Sequence, residues 1–259
     1  MPLYVIVFIF GALIGSFLNV CIYRMPRKLS IILPSSRCPS CNNPIKPWDN
    51  VPLLSYVFLG GRCRYCGTRI PLRYPLVEGL NALCYIALLW RFGPGLDLLI
   101  FCLFCSSLIV ITFVDLDFQV IPDRITLPGV AIGLVSGSLV LPNPFMRADM
   151  LGFITSLIGA ACGFGFYYAV AFLSLALLKK EGMGGGDIKM MAMVGAFMGW
   201  KAVILTTFLA SLAGSVVGIS MIIAKGREKG SLLPFGPFLS AGAVVSLFFG
   251  QEILQWYLH

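Results

Sequence analysis

The chain has 259 residues, 58% of them hydrophobic and 12% charged, with a formal charge of +8 and a mean hydropathy of +0.91. Soluble domains carry about 25% charged residues, so this balance excludes an ordinary soluble enzyme and points to lipid as the solvent. The positive charge then reads as membrane sidedness and contact with anionic lipid heads, and no nucleic-acid partner is expected.

Apolar runs near 20 residues with few charges predict transmembrane helices. They fall at roughly 4–23, 76–92, 96–114, 125–142, 152–178, 189–200, 202–224 and 236–256. The expected fold is an all-α polytopic integral membrane protein of about eight transmembrane helices. The first run, in "MPLYVIVFIFGALIGSFLNVCIYRMPRK", has no basic residue before it and several after it. That order suits an uncleaved helix with its N-terminus outside. The Lys and Arg residues agree: nine lie in 24–75, one in 115–124, three in 179–189 and three in 225–230, against Arg91, Arg147 and Lys201 on the other side. The positive-inside rule makes the first group of segments cytoplasmic.

Residues 24–75 are the one polar stretch long enough to fold alone, giving expected domains of 1–23, 24–75 and 76–259. The middle one carries Cys38-Pro-Ser-Cys41 and Cys63-Arg-Tyr-Cys66, with 21 residues between the two motifs. Such knuckles bring four thiolates to the corners of a tetrahedron, the structural geometry of Zn²⁺. A domain of about 50 residues has little core, so a metal staple makes physical sense. Gly67 allows the tight turn after the second knuckle. Two disulfides are the alternative, and a cytoplasmic location argues against them. Cys102-Leu-Phe-Cys105 repeats the spacing inside an apolar helix, where small buried residues are the simpler account.

Glu78 enters the second helix as a cap or a ligand for a substrate amine, and Asn19 and Asn81 are placed to bond across helices. Asp115, Asp117 and Asp123 surround the turn "VDLDFQVIPD". Asp187 follows the glycines of "KKEGMGGGDIKMM", where the sixth helix starts. That helix is short, so either the glycines extend it or its surroundings are not plain bilayer. Ionisable groups at a membrane boundary face a cavity or the bundle interior, and all these helix ends lie on one side. Two carboxylates held close share one proton: the charged member activates a water and the protonated member polarises a peptide carbonyl. The sole histidine is His259, which excludes Ser-His and HExxH proteolysis. The bland reading makes Asp187 an N-cap and Asp123 a first-turn residue after Pro122 at N1. Spacing alone does not choose among Asp115, Asp117 and Asp123. A cation or proton path would put carboxylates near mid-bilayer in a repeated half. A noncatalytic assembly factor that uses the zinc domain is the third possibility.

Several segments together resemble the type IV prepilin leader peptidases, membrane aspartyl proteases of the GxGD kind. They are "GSFLNVCIYRMP" at 15–26, "CPSCNNPIKPWDNVPLLSY" at 38–56, "GGRCRYCGTRIPLRYPLVE" at 60–78, "VDLDFQVIPD" at 114–123, "KEGMGGGDIKMMAMVGAFMGW" at 180–200 and "PFGPFLS" at 234–240. The resemblance implies Asp115 and Asp187 as the catalytic pair. It implies cleavage of the basic leader of prepilins and pseudopilins at the cytoplasmic boundary of a bacterial inner membrane. It also implies N-methylation of the new N-terminus with S-adenosylmethionine, associated with the glycine–basic stretch that is Gly60-Gly61-Arg62 here. On that picture the acids Asp115, Asp117, Asp123, Glu181 and Asp187 draw a basic leader towards an otherwise basic face.

Overall fold

The computed structural model describes residues 1–179, 182–225 and 233–258. Each of the eight expected apolar runs lies mainly in a helix: α1 Pro2–Arg24, α3 Arg73–Phe92, α4 Leu96–Phe118, α5 Asp123–Leu139, α6 Phe153–Leu178, α7 Gly185–Met198, α8 Trp200–Lys225 and α9 Gly236–Leu258. A short α2, Leu54–Phe58, lies in the polar segment between α1 and α3. Five of these, α1, α4, α6, α8 and α9, are long and apolar enough to cross a bilayer. Only 17% and 22% of the apolar windows of α6 and α8 are buried, against 61% for α4. Most of the apolar surface of α6 and α8 therefore faces outward, the pattern of lipid-facing helices rather than of a soluble core.

The chain divides into two compact units, Met1–Val110 and Ile111–His259. In the first, α1 and α3 run antiparallel in backbone contact. A Cβ at Gly11 would meet Ala82 Cα at 2.8 Å, and one at Gly15 would meet Glu78 Cα at 2.7 Å. This is small-residue packing of the membrane kind. Asn81 Nδ2 donates to Gly11 O at 2.7 Å and Asn19 Nδ2 to Tyr74 O at 3.1 Å, the cross-helix role expected of both. Cys102 and Cys105 are buried in α4.

In the second unit α7 is the central element. Ile188 and Met190 to Met198 are all buried. Glycines on both flanking helices bring them against it. Gly129 meets Met193 and Gly133 meets Ala196 and Phe197, so α5 runs parallel to α7. Gly159 meets the backbone of Gly195, and Gly163 that of Met191, so α6 runs antiparallel. Fourteen residues span roughly 21 Å, less than the ~30 Å of bilayer hydrocarbon. The short helix is tolerated because protein, not lipid, surrounds it.

Two sequence expectations shift here. The fourth run ends at Leu139 instead of 142, and Pro142–Asn143 pairs with Met146–Met150 as a small antiparallel hairpin. The sixth begins at Gly185, so the glycines do extend it, and it ends at Met198, where Gly199 with φ of +79° turns the chain directly into α8.

Candidate active site

The last turn of α4 carries Asp115 and Asp117 on different faces. Asp115 is buried and Asp117 is exposed, as two residues 200° apart on a helix should be. The helix stops at Phe118, Gln119 takes a left-handed φ of +53°, and Pro122 leads the chain into α5. This turn drops Ile121 onto the start of α7. A Cβ at Gly186 would lie 2.7 Å from Ile121 Cβ, which is why the residue before Asp187 is a glycine. The N-cap of α7 is Gly184 rather than Asp187. Asp187 sits in the first turn, with its own N–H donated to Gly184 O at 3.1 Å. Asp115 and Asp187 come close enough for the charge of one to act on the other.

A third element completes the site. Gly236, the first residue of α9, donates its N–H to Asp115 Oδ2 at 2.8 Å. The opening amides of a helix have no partner within it, and an ionised carboxylate is the strongest acceptor available to one. The sequence assigned "PFGP" only the shaping of this helix start.

Asp123 is the first residue of α5, with Pro122 as N-cap. Both of its carboxylate oxygens lie 2.7 Å from Lys189 Nζ. It thus ties the start of α5 to the N-terminal part of α7. Glu181, expected in the acidic group, lies outside the described residues. Behind α7, the buried Tyr167 of α6 hydrogen-bonds Thr207 of α8 at 3.1 Å.

The four knuckle cysteines form a second site. Both turns are built alike: Cys38 N–H donates to Asn43 O, Cys63 N–H to Thr68 O, and the residues after Cys41 and Cys66 are left-handed, Asn42 at φ +57° and Gly67 at +68°. Asparagine is one of the few residues besides glycine suited to that conformation. The four sulfurs lie within 4.8 Å of one another, with Cys38 Sγ 3.8 Å from Cys66 Sγ. A tetrahedral ion with ~2.3 Å bonds to sulfur separates its ligands by about 3.8 Å, so the set fits a four-thiolate site. Hydrogen bonds from the Thr68 hydroxyl and backbone push the Cys66 thiol down to about 6, towards the thiolate a metal requires. Arg64, beside Cys63, holds Asp49 at 2.6 Å and keeps its carboxyl below the usual range.

Gly61, at φ +65°, lies against the Tyr56 ring, and Arg62 is exposed. Glu78 is buried, its Oε2 accepting the N–H of Leu53, a residue at φ +60°. It anchors the polar segment to α3 and does not cap the helix start.

Residues 9–92 match the family description "Bacterial Peptidase A24 N-terminal domain", and residues 102–219 match the "Type IV leader peptidase family". The prepilin leader peptidase/N-methyltransferase of Aeromonas hydrophila is 37% identical, over 98% of this chain and 93% of its own length. That of Pseudomonas aeruginosa is 35% identical over 96% and 91%. That of Myxococcus xanthus is 40% identical over 87% of this chain and 65% of its own. No solved structure matches. Identity at this level across nearly the whole length, with both halves matched in order, shows that the chain belongs to the type IV leader peptidase family.

Proposed function

We propose that this protein cleaves the basic leader of prepilins and pseudopilins by an aspartyl pair, Asp115 and Asp187, and N-methylates the new N-terminus with S-adenosylmethionine. The observation that carries the reading is the buried Asp115 carboxylate, gripped by Gly236 N–H and felt electrostatically at Asp187. Two acids so placed hold one proton between them. The charged one takes a proton from a water as it attacks the scissile carbonyl, and the protonated one stabilises the oxygen that becomes negative. The same proton inventory then protonates the leaving amine. Gly185 leaves open space beside this point, since a Cβ there would meet nothing within 4 Å, and a Cβ at Gly184 would lie 3.2 Å from Asp187 Oδ2.

All eight helices other than α2, the short α7 included, cross a bacterial inner membrane in this reading, with the N-terminus outside and the carboxylates at the cytoplasmic boundary. Residues 1–23 form the first crossing, 24–75 the cytoplasmic zinc domain and 76–259 the protease domain. A prepilin then enters with its apolar stretch in lipid and its basic leader in the cytosol. Cys38, Cys41, Cys63 and Cys66 hold Zn²⁺ as a structural cross-link; four thiolates leave no position for a catalytic water. S-adenosylmethionine supplies an electrophilic methyl group to the liberated amine. In the stretch Gly61-Arg62, the exposed guanidinium suits the carboxylate of that donor.

The test is mass analysis of a prepilin incubated with the purified protein, with and without S-adenosylmethionine. Loss of the leader, then one methyl increment only when the donor is present, is the expected result. Asp115→Asn and Asp187→Asn should each lower kcat by at least about 10²-fold; a variant that still processes substrate removes that residue from the pair. Metal analysis should find one zinc per chain, lost on Cys63→Ser together with thermal stability of the knuckle region.

A further inference from the structure

The α6–α7 contact fixes a register that reaches the active site. Gly159 meets Gly195 and Gly163 meets Met191, so four residues up one helix correspond to four down the other. The next step sets Tyr167 level with Asp187. Tyr167 is 1% exposed, and a hydroxyl so buried must be satisfied within the protein. Its partner is Thr207 Oγ1 at 3.1 Å. Thr207 spends its single proton on Val203 O at 2.7 Å, a carbonyl that only accepts. The phenol is therefore the donor in the Tyr167–Thr207 bond, and it offers lone pairs to anything else that approaches. Asp187 lies within electrostatic reach of it.

We infer that Tyr167 is a positioning residue for the peptidase pair: its oxygen accepts the proton of Asp187, directly or through one water, and so keeps the shared proton on Asp187 while Asp115 stays charged. The inference rests on Asp115 and Asp187 being that pair. The groups that act on Asp187 are Asp115 from α4 and the N–H of Gly184 at the start of α7, Tyr167 of α6 lies within its electrostatic reach, and on the α5 side Asp123 is tied to Lys189. The start of α7 favours a charged Asp187 through its dipole. Each acid has one backbone N–H, Gly184 on Asp187 and Gly236 on Asp115, so the backbone donors balance and the phenol oxygen tips the proton to Asp187. Apo distances in such sites tighten in the substrate complex, so the contact belongs to the working state.

The experiment is the pH dependence of kcat and KM for prepilin cleavage by the full-length protein, comparing Tyr167→Phe, Thr207→Val and Thr207→Ser. Tyr167→Phe removes the acceptor. Thr207→Val frees the phenol proton to point at Asp187, which supports the charged acid instead. Both should lower kcat about tenfold with KM within about twofold. Both should move the alkaline limb of the profile to lower pH, because the acid gives up its proton sooner. Thr207→Ser keeps the hydroxyl and returns the limb towards its native position. An alkaline limb that stays in place in Tyr167→Phe overturns the inference, even where looser packing lowers kcat. Asp187→Asn, run beside it, separates the two failures: if that variant still cleaves, the assignment of the pair is what falls.

Discussion

A methyl group added at Gly236 would sit 2.7 Å from Asp115 Oδ2 and 3.2 Å from its Cβ. The carboxylate is the movable partner, so Gly236→Ala displaces the reacting group instead of the backbone. Misplacement of about 1 Å costs up to ~10²-fold. Gly236→Ala should therefore lower kcat by roughly 10- to 100-fold while the thermal midpoint barely changes, read by peptide cleavage and a melting curve. At this scale the sequence was legible in residue type and not in partnership. Few acids in an apolar chain are conspicuous, and without a usable histidine the chemistry narrowed to carboxylates. Spacing left Asp115, Asp117 and Asp123 equal because burial separates them, and burial is a property of neighbours. The Gly236 N–H had no signal at all: every residue but proline has an amide, and this one is 121 positions from its acceptor.

Helix α7 shows how close packing sets the site. Its contacts with α6 are backbone on backbone at Gly159, Gly163 and Gly195, whereas Gly185 has open space around its missing side chain. Gly195→Val should force the helices apart and cost about 3 kcal/mol of stability. Gly185→Ala should leave stability within about 0.5 kcal/mol. Thermal unfolding in detergent compares the two directly; equal losses would mean that α6 and α7 are not in backbone contact at Gly195. Helix existence was readable from apolar runs, boundaries less so. Propensity discourages glycine inside a helix, so the reading began α7 four residues late, whereas Gly185 and Gly186 are helical because Ile121 and the flanking helices need the room. The Pro142–Met150 hairpin was missed because the apolar run continues past Leu139 into Leu141.

Over the whole molecule, charge and metal frame the substrate. In the proposed topology the cytoplasmic segments are net basic and most of their acids lie near the proposed cleavage point, so a basic leader is drawn mainly there. Asp117→Asn with Glu181→Gln should raise KM, and more steeply at low salt, where screening over about 10 Å is weakest. KM measured at two ionic strengths checks this, and a salt-independent change removes the electrostatic account. The four-cysteine cluster was legible because its spacing is covalent and local: each knuckle closes by its own turn. What no local pattern announced is that the second unit is assembled around one short helix that lipid hardly touches.

The N–H of Gly236 serves α9 and Asp115 at once, so with Asp115 in the proposed pair α9 becomes part of the catalytic apparatus. A nonsense or frameshift lesion between α8 and α9 would leave both aspartates, the knuckles and α5 to α7 encoded intact. Such an allele is nevertheless expected to be peptidase-null, because the charged acid would lose its only backbone grip among the described residues.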